Sequence, residues 1–163
     1  MKCMICKNEI ADGDSMFPFP KLPQTHQYSD LHGMTHVDCI KNHSDYENIG
    51  NELAMIFSSF YGAKSDYPVV INQDRVLVQK RDPDECVMIY NFKDFVQFHI
   101  PYSQVKQVQS LSPGDKLLLG LHGLIELEVL DGGGLLLEQK KPFMRTSLPS
   151  LSLEKLNTLL SNL

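Results

Sequence analysis

The sequence predicts an α+β protein: a small N-terminal module with one helix, then a strand-rich part that ends in a second helix. Three observations predict this class. Four Cys and His residues with metal-ligand spacing lie within residues 3–39, apolar residues follow a helical period over 46–60, and a strand-like period starts near Tyr67. We therefore divide the chain into residues 1–62 and 68–163, with the boundary between Gly62 and Pro68.

Two short motifs supply the metal ligands. Cys3 and Cys6 are spaced as CxxC, and His36 and Cys39 are spaced as HxxC. Thiolate and imidazole are donors that zinc prefers in proteins, and each motif presents two of them to one ion. CxxC fits a tight turn, whereas His36 and Cys39 fit one face of a first helical turn. Four protein ligands leave no open coordination position, so we predict one structural Zn²⁺ and no catalytic residue.

The choice of histidine is open at this point. His32 lies four residues before His36, and His43 lies four residues after Cys39, so either could replace His36 as a ligand. The plain alternative is that Cys3 and the other residues of the two motifs are ordinary thiols and a solvated imidazole. The match of a CxxC with an HxxC in one module favours the metal site.

The N-terminal motifs also carry a family resemblance. The run Cys3-Met-Ile-Cys6-Lys-Asn-Glu-Ile10, then Gly13-Asp14 and His36-Val-Asp-Cys39-Ile40, resembles the first zinc half of LIM domains and, more broadly, treble-clef zinc fingers over residues 3–40. The resemblance implies a knuckle at the first ligand pair, a hairpin, and a helix that starts at the second pair. The second ligand set of such families is missing, because Cys86 is the only later cysteine. One zinc ion is therefore expected, and ubiquitin transfer is not carried over.

A helix is predicted directly after this module. Ser44 and Glu47 have the spacing of a capping box, and Gly62 is a natural stop. Apolar residues recur between them at steps of three and four: Tyr46, Ile49, Leu53, Ile56 and Phe60. We expect this stripe to pack into the core, with a groove-binding or dimerising helix as the alternative.

The rest of the chain is predicted to be mainly strands. Val- and Ile-rich or Leu-rich runs separated by turn residues occupy 68–71, 75–80, 86–90, 95–100, 116–121, 124–130 and 135–139. They predict a small antiparallel sheet or barrel. Residues 99–108 resemble the strand, turn and apolar-anchor pattern of PH-like barrels, and a terminal helix suits that plan.

The terminal helix is predicted from its cap and its apolar face. Ser152 is the expected N-cap, and Glu154 suits the positive end of the helix dipole. The apolar face consists of Leu153, Leu156, Leu159, Leu160 and Leu163. We expect this helix to cover an open end or edge of the sheet; a coiled-coil dimer is the alternative.

Charge narrows the choice of partner. The net charge is −5, of which −4 falls in residues 1–62 and −1 in residues 63–163. Zinc fingers that bind nucleic acid use Lys and Arg to neutralise the phosphates. The acidic module therefore disfavours DNA or RNA binding and favours a cationic protein partner. The absence of a leader-like or membrane-length apolar run, with cysteines suited to a reducing compartment, predicts a cytoplasmic protein that does not enter membranes.

Enzymatic patterns are weak. The Gly-rich run 131–134 lacks the Lys and Ser/Thr of a phosphate-binding loop, so we predict a turn. Cys86 with His99 or His122 could form a thiol nucleophile and its base, but a buried structural cysteine is favoured.

These observations predict a non-enzymatic, zinc-stabilised intracellular protein-interaction module of bacterial origin, of the immunity, antitoxin or adaptor type, with a homodimer as one option. One alternative is a nucleic-acid or nucleotide-ligand binding protein that uses Lys80, Arg81 and the basic run 140–145. The other is a metal-dependent hydrolase in which His26, His32 or His43 completes an open site.

Overall fold

The computed structural model describes residues 1–62, 66–120, 124–141 and 143–163. The strands are β1 (Met16–Phe19), β2 (Gly33–His36), β3 (Val69–Gln73), β4 (Val76–Arg81), β5 (Cys86–Asn91), β6 (Val96–Pro101), β7 (Lys116–Leu119), β8 (Ile125–Val129), β9 (Leu135–Lys140) and β10 (Phe143–Leu148). The helices are α1 (Val37–Lys41), α2 (Tyr46–Gly62), α3 (Val105–Gln109) and α4 (Leu153–Ser161). The α+β class is confirmed.

The described strands form three antiparallel sheets. β1 and β2 make a hairpin, β3 to β6 make one four-stranded sheet in chain order, and β7 to β10 make a second. The first strand of the second sheet, β7, pairs with β8 and not with β6. The described strands therefore form open sheets and no closed barrel, so the barrel alternative and its PH-like version are not what the chain adopts there.

The strand predictions agree with β3 to β9 to within about two residues at most ends. The end of the predicted strand 116–121 falls partly outside the described residues. The sequence does not predict β10, whose residues 143–145 fall in the basic run 140–145. Only Thr146 and Leu148 of this strand are buried, so its apolar alternation is too weak to be recognised from sequence.

The sheet β3–β6 is buried on both faces. Strand β4 shows this directly, since Val76, Leu77 and Val78 are all buried although consecutive side chains point to opposite faces. One face packs against the second sheet and α4. The side chains on this face form one apolar cluster. Its members from the second sheet and α4 include Leu119, Leu127, Val129, Leu135, Leu137, Leu148, Leu153, Leu156 and Leu160.

The opposite face of β3–β6 packs against the N-terminal part of the chain. Leu77, Tyr90 and Phe92 from this side form one apolar cluster with residues 17–54. The N-terminal members are Phe17, Phe19, Leu22, Tyr28, Val37, Ile40, Ile49, Leu53 and Ala54. The division at 62–68 stays a prediction, but the two parts share this cluster.

A partly buried ion pair adds to the same junction. Lys41 in α1 donates to the carboxylate of Asp94 at 3.4 Å, and Asp94 is 2 % exposed. The other carboxylate oxygen of Asp94 accepts from Asn91 Nδ2 at 2.9 Å and from Ser150 Oγ at 2.5 Å. The carboxylate is thus satisfied by three elements, and removing it would leave Lys41 without its partner.

Both long helices were predicted. α4 begins as expected, because the Ser152 side chain accepts from the backbone N–H of Lys155 at 3.2 Å. α2 begins at Tyr46, and the carbonyl of Asp45 accepts the N–H of Ile49 at 2.9 Å. The N-cap is therefore Asp45, one residue later than the expected Ser44, and both side chains are suited to that position.

The contact between α2 and β5 allows a test at Gly50. A Cβ at this position would lie 2.6 Å from the backbone oxygen of Phe92. Alanine is intrinsically better in a helix by about 1 kcal/mol, but overpacking against rigid backbone costs about 1–3 kcal/mol. We expect Gly50→Ala to lower the free energy of unfolding, measured by urea denaturation. Gly62→Ala is the matched control, because no described atom lies within 4 Å of its added Cβ. Equal effects of the two substitutions would contradict this packing.

Candidate metal centre

The first ligand pair lies on a tight turn. The N–H of Lys7 donates to the carbonyl of Cys3 at 3.0 Å and closes the turn. The N–H of Ile5 donates to Cys3 Sγ at 3.4 Å, and the N–H of His36 donates to the same sulfur at 3.3 Å. The Cys3 sulfur is therefore held by two backbone donors before any metal is considered.

The second ligand pair lies where β2 becomes α1. His36 is the last residue of β2 and the N-cap of α1, and Cys39 lies inside α1. The hairpin places this junction beside the turn that carries Cys3 and Cys6, because the N–H of Met4 in that turn donates to the carbonyl of Met34 in β2 at 2.9 Å. The turn at Cys3, the β1–β2 hairpin and the start of α1 thus bring the CxxC and HxxC motifs close together.

The four predicted ligands meet in one cluster. One donor atom from each of Cys3, Cys6, His36 and Cys39 lies within 4.8 Å of all the others. His36 Nδ1 lies 3.4 Å from Cys6 Sγ and 3.7 Å from Cys39 Sγ. These residues are positioned to bind a single metal ion.

The other histidines lie outside this cluster in the described structure. His26 Nε2 lies 3.5 Å from a Glu52 oxygen, and its Nδ1 accepts from the N–H of Tyr28 at 3.2 Å. His43 Nδ1 accepts from the N–H of Asp45 at 3.1 Å. Like these two, His32 is not part of the group that contains His36.

Without a cation, the three cysteines cannot all ionise, because their thiolate charges would repel one another. Burial would raise the pKa of Cys3, but backbone hydrogen bonds from Cys6, His36 and Ile5 lower this pKa to about 6. Burial and the neighbouring Cys6 and Cys3 raise the pKa of Cys39 to about 12. Like charges this close cannot all be ionised, so three thiolates require a cation among them.

The imidazole of His36 is oriented by a carboxylate. Its Nε2 lies 3.2 Å from Asp14 Oδ2, and the same oxygen accepts from the N–H of Ala11 at 2.8 Å. Donation from Nε2–H to this carboxylate would fix the tautomer whose Nδ1 lone pair faces the sulfurs. In the sequence, Asp14 belongs only to the motif that resembles treble-clef fingers, and nothing there predicts this contact. A Gly-Asp pair after a CxxC was the available signal, but it does not reveal which side chain the carboxylate meets.

The remaining candidates have weaker chemistry. Cys86, at the start of β5, and His99 both line a groove of about 550 Å³, and burial raises the pKa of the Cys86 thiol. A raised pKa keeps the thiol protonated and therefore unreactive at neutral pH. His122 lies outside the described residues. The run 131–134 lies in the turn between β8 and β9, as expected.

Fold and site together define an α+β protein with a Cys₃His cluster able to hold one metal ion. Comparison with protein-family models, with curated proteins and with solved structures found no match for this chain. None of the helices described is both long enough and apolar enough to cross a membrane.

Proposed function

We propose that residues 3–40 form a single-zinc, treble-clef-like finger and that the protein is a non-enzymatic, zinc-stabilised protein-interaction module. An immunity, antitoxin or adaptor protein would have this character. The observation that carries the proposal is the closed donor set of three sulfurs and one imidazole nitrogen within 4.8 Å. Such a set holds a structural ion and leaves no coordination position for a substrate.

Zinc fits the donor set in type and in distance. Sulfur ligands disfavour Mg²⁺ and Ca²⁺, which take oxygen donors. In a tetrahedral site with Zn–S of about 2.3 Å and Zn–N of about 2.05 Å, sulfur and nitrogen lie about 3.6 Å apart. The two observed separations from His36 Nδ1, 3.4 and 3.7 Å, bracket this value.

Both alternatives receive less support. A hydrolase needs an open metal position, and His26 and His43 are engaged elsewhere. A nucleic-acid binder needs unneutralised cations, and two of the candidate cations are paired: Arg81 with Asp84 at 2.7 Å and Arg145 with Glu128 at 4.0 Å.

The outer surface of α2 is the proposed contact area. We define the α2 surface by Met55 and Phe60, the two exposed large apolar residues of this helix. Met55 is 56 % exposed and Phe60 is 57 % exposed. Exposed large apolar side chains that lie near one another on one element support a binding surface. The acidic balance of residues 1–62 favours a cationic amphipathic partner segment.

Metal content tests the first half of this proposal. We expect the purified wild-type chain to hold one zinc per molecule by elemental analysis and Cys39→Ser to hold much less, because three ligands with a weaker donor bind less tightly. Cys86→Ser is the control and should keep one zinc, since Cys86 lies outside the cluster. The proposal is refuted if the wild-type chain, expressed with added zinc, does not contain stoichiometric zinc.

Substitution on the α2 surface tests the second half. We expect Met55→Ser with Phe60→Ser to abolish capture of a partner that wild-type protein retains from native lysate. Leu118→Ser, on an exposed apolar residue of β7, is the control and should leave capture intact. A partner that also binds the double variant would place the contact elsewhere, and light scattering of the isolated wild type distinguishes self-association from a foreign partner.

A further inference from the structure

The segment 13–16 lies along the outer edge of β10. The N–H of Gly13 donates to the carbonyl of Phe143 at 3.1 Å, and Gly13 and Met144 form a parallel bridge. The Ser15 hydroxyl donates to the carbonyl of Arg145 at 3.0 Å. The edge of the second sheet is therefore covered by the N-terminal module, more than a hundred residues away in sequence.

This cover addresses a general hazard of sheets. β10 pairs with β9 on one side only. Without a cover, its other edge would expose backbone carbonyl groups that could pair with a strand of another molecule. The carbonyls of Phe143 and Arg145, two residues apart, point to that side and are both taken by segment 13–16. Ser15 Oγ also lies 2.6 Å from Thr146 Oγ1, and Thr146 is 4 % exposed. The contact is thus partly buried and specific.

The same segment holds the metal cluster on its other side. Asp14 lies between the two residues that bind β10, and its carboxylate contacts His36 Nε2 at 3.2 Å. The carbonyl of Ser15 accepts the N–H of Val37, the residue after His36, at 2.9 Å. Residues that orient one metal ligand and residues that cover β10 are therefore consecutive in the chain.

We propose that Asp14 is a positioning residue that couples occupancy of the metal site to the covering of the β10 edge. With the metal bound, His36 is fixed, Asp14 is fixed against it, and Gly13 and Ser15 stay on β10. Without the metal, this constraint is lost and the β10 edge becomes available to a strand from a second copy of the chain. The inference rests on the proposed metal function and adds to it a reciprocal link, because coupling between two sites acts equally in both directions.

The direct test substitutes Asp14. We expect Asp14→Ala to weaken zinc binding about 10- to 100-fold in competition with a chromophoric chelator, the usual effect of losing a partner of a ligating histidine. Hydrogen exchange at the Gly13 amide should become faster in the same variant. Asp12→Ala is the matched control, because the exposed Asp12 carboxylate makes no hydrogen bond or ion pair within the described structure. Unchanged affinity and exchange in Asp14→Ala would overturn the proposal.

A spectroscopic readout separates positioning from general loss of stability. With saturating Co²⁺, Asp14→Ala should shift the visible d–d bands relative to wild type, whereas Asp12→Ala should not. Asp14→Asn retains an acceptor for Nε2–H and should recover most of the wild-type spectrum. Wild-type bands in Asp14→Ala would show that the carboxylate does not orient His36 and would overturn the assignment.

The reciprocal test works from the distant side. Thr146→Val removes the hydroxyl that contacts Ser15 and should weaken zinc binding about twofold to tenfold, as expected for one hydrogen bond. Ser147→Ala, on the exposed neighbour in β10, should leave zinc affinity unchanged. Equal affinities in both variants would overturn the coupling. A wild-type chain that binds no zinc would instead refute the proposed function, so the two failures are distinguishable.

Discussion

If the metal centre holds zinc as proposed, its removal is expected to destabilise the protein, including the sheet β3–β6. A ligand that binds only the folded state at a thousand times its dissociation constant adds about 4 kcal/mol to the free energy of unfolding, and chelation removes this amount. The loss should reach the sheet because residues 17–54 share an apolar cluster with Leu77, Tyr90 and Phe92. We expect Cys3→Ser to lower the free energy of unfolding by a similar amount, since Cys3 is a fully buried member of the metal cluster. The stability of this variant should no longer depend on zinc.

The measurement is urea unfolding followed by tyrosine fluorescence, since the chain has no Trp, together with hydrogen exchange in β5. Cys86→Ser is the control: whatever it does to stability, the response to zinc should remain. If β5 keeps its protection in the zinc-free protein while residues 1–45 unfold, the two predicted parts are independent and the shared cluster does not couple them.

Phe92→Ala is expected to produce the largest effect of any single truncation in the junction. Phe92 is 1 % exposed, and its ring centroid lies 6.3 Å from that of Phe17 and 5.1 Å from that of Phe57. Truncating such a side chain costs about 3–5 kcal/mol through lost burial and the cavity left behind. The ring contacts join β1, α2 and the end of β5, so one substitution weakens all three.

Phe60→Ala is the matched control for this prediction. Phe60 is 57 % exposed, so its truncation should change the free energy of unfolding by only about 0.5 kcal/mol. Urea denaturation of both variants at saturating zinc checks the comparison. A loss below about 1 kcal/mol for Phe92→Ala would mean that the junction repacks and is not the centre of this core.

The predictions that succeeded depended on local spacing. CxxC and HxxC each place two donors together through one turn or one helical turn, so the ligand cluster needed only the two motifs to meet. α4 followed from Ser152 and a leucine face in the same way. The burial of β3–β6 on both faces was not predicted, although runs such as Val76-Leu77-Val78 lack polar alternation and contained the signal.

The predictions that failed, and the contacts that were not foreseen, depended on partners distant in sequence. β10 has a weak strand pattern because Arg145, Thr146 and Ser147 interrupt its apolar residues, and no property of residues 143–148 reveals that Gly13 and Ser15 cover its outer edge. The barrel alternative was open because strand periodicity does not specify whether β6 pairs with β7. The role of Asp14 became visible only when folding placed its carboxylate beside His36.

The sequence by itself determined the fold class, most of the strands and helices, and the three cysteines of the metal cluster, with His36 as the first of three candidate histidines. Turn chemistry, periodicity and ligand spacing act over a few residues, and each can be recognised without knowing the rest of the chain. The tertiary structure alone decided that the N-terminal module shares a core with β3–β6, covers β10 and links that edge to His36. These contacts arise because two apolar faces and an exposed strand edge must be covered, and which segment covers them depends on packing across the whole molecule.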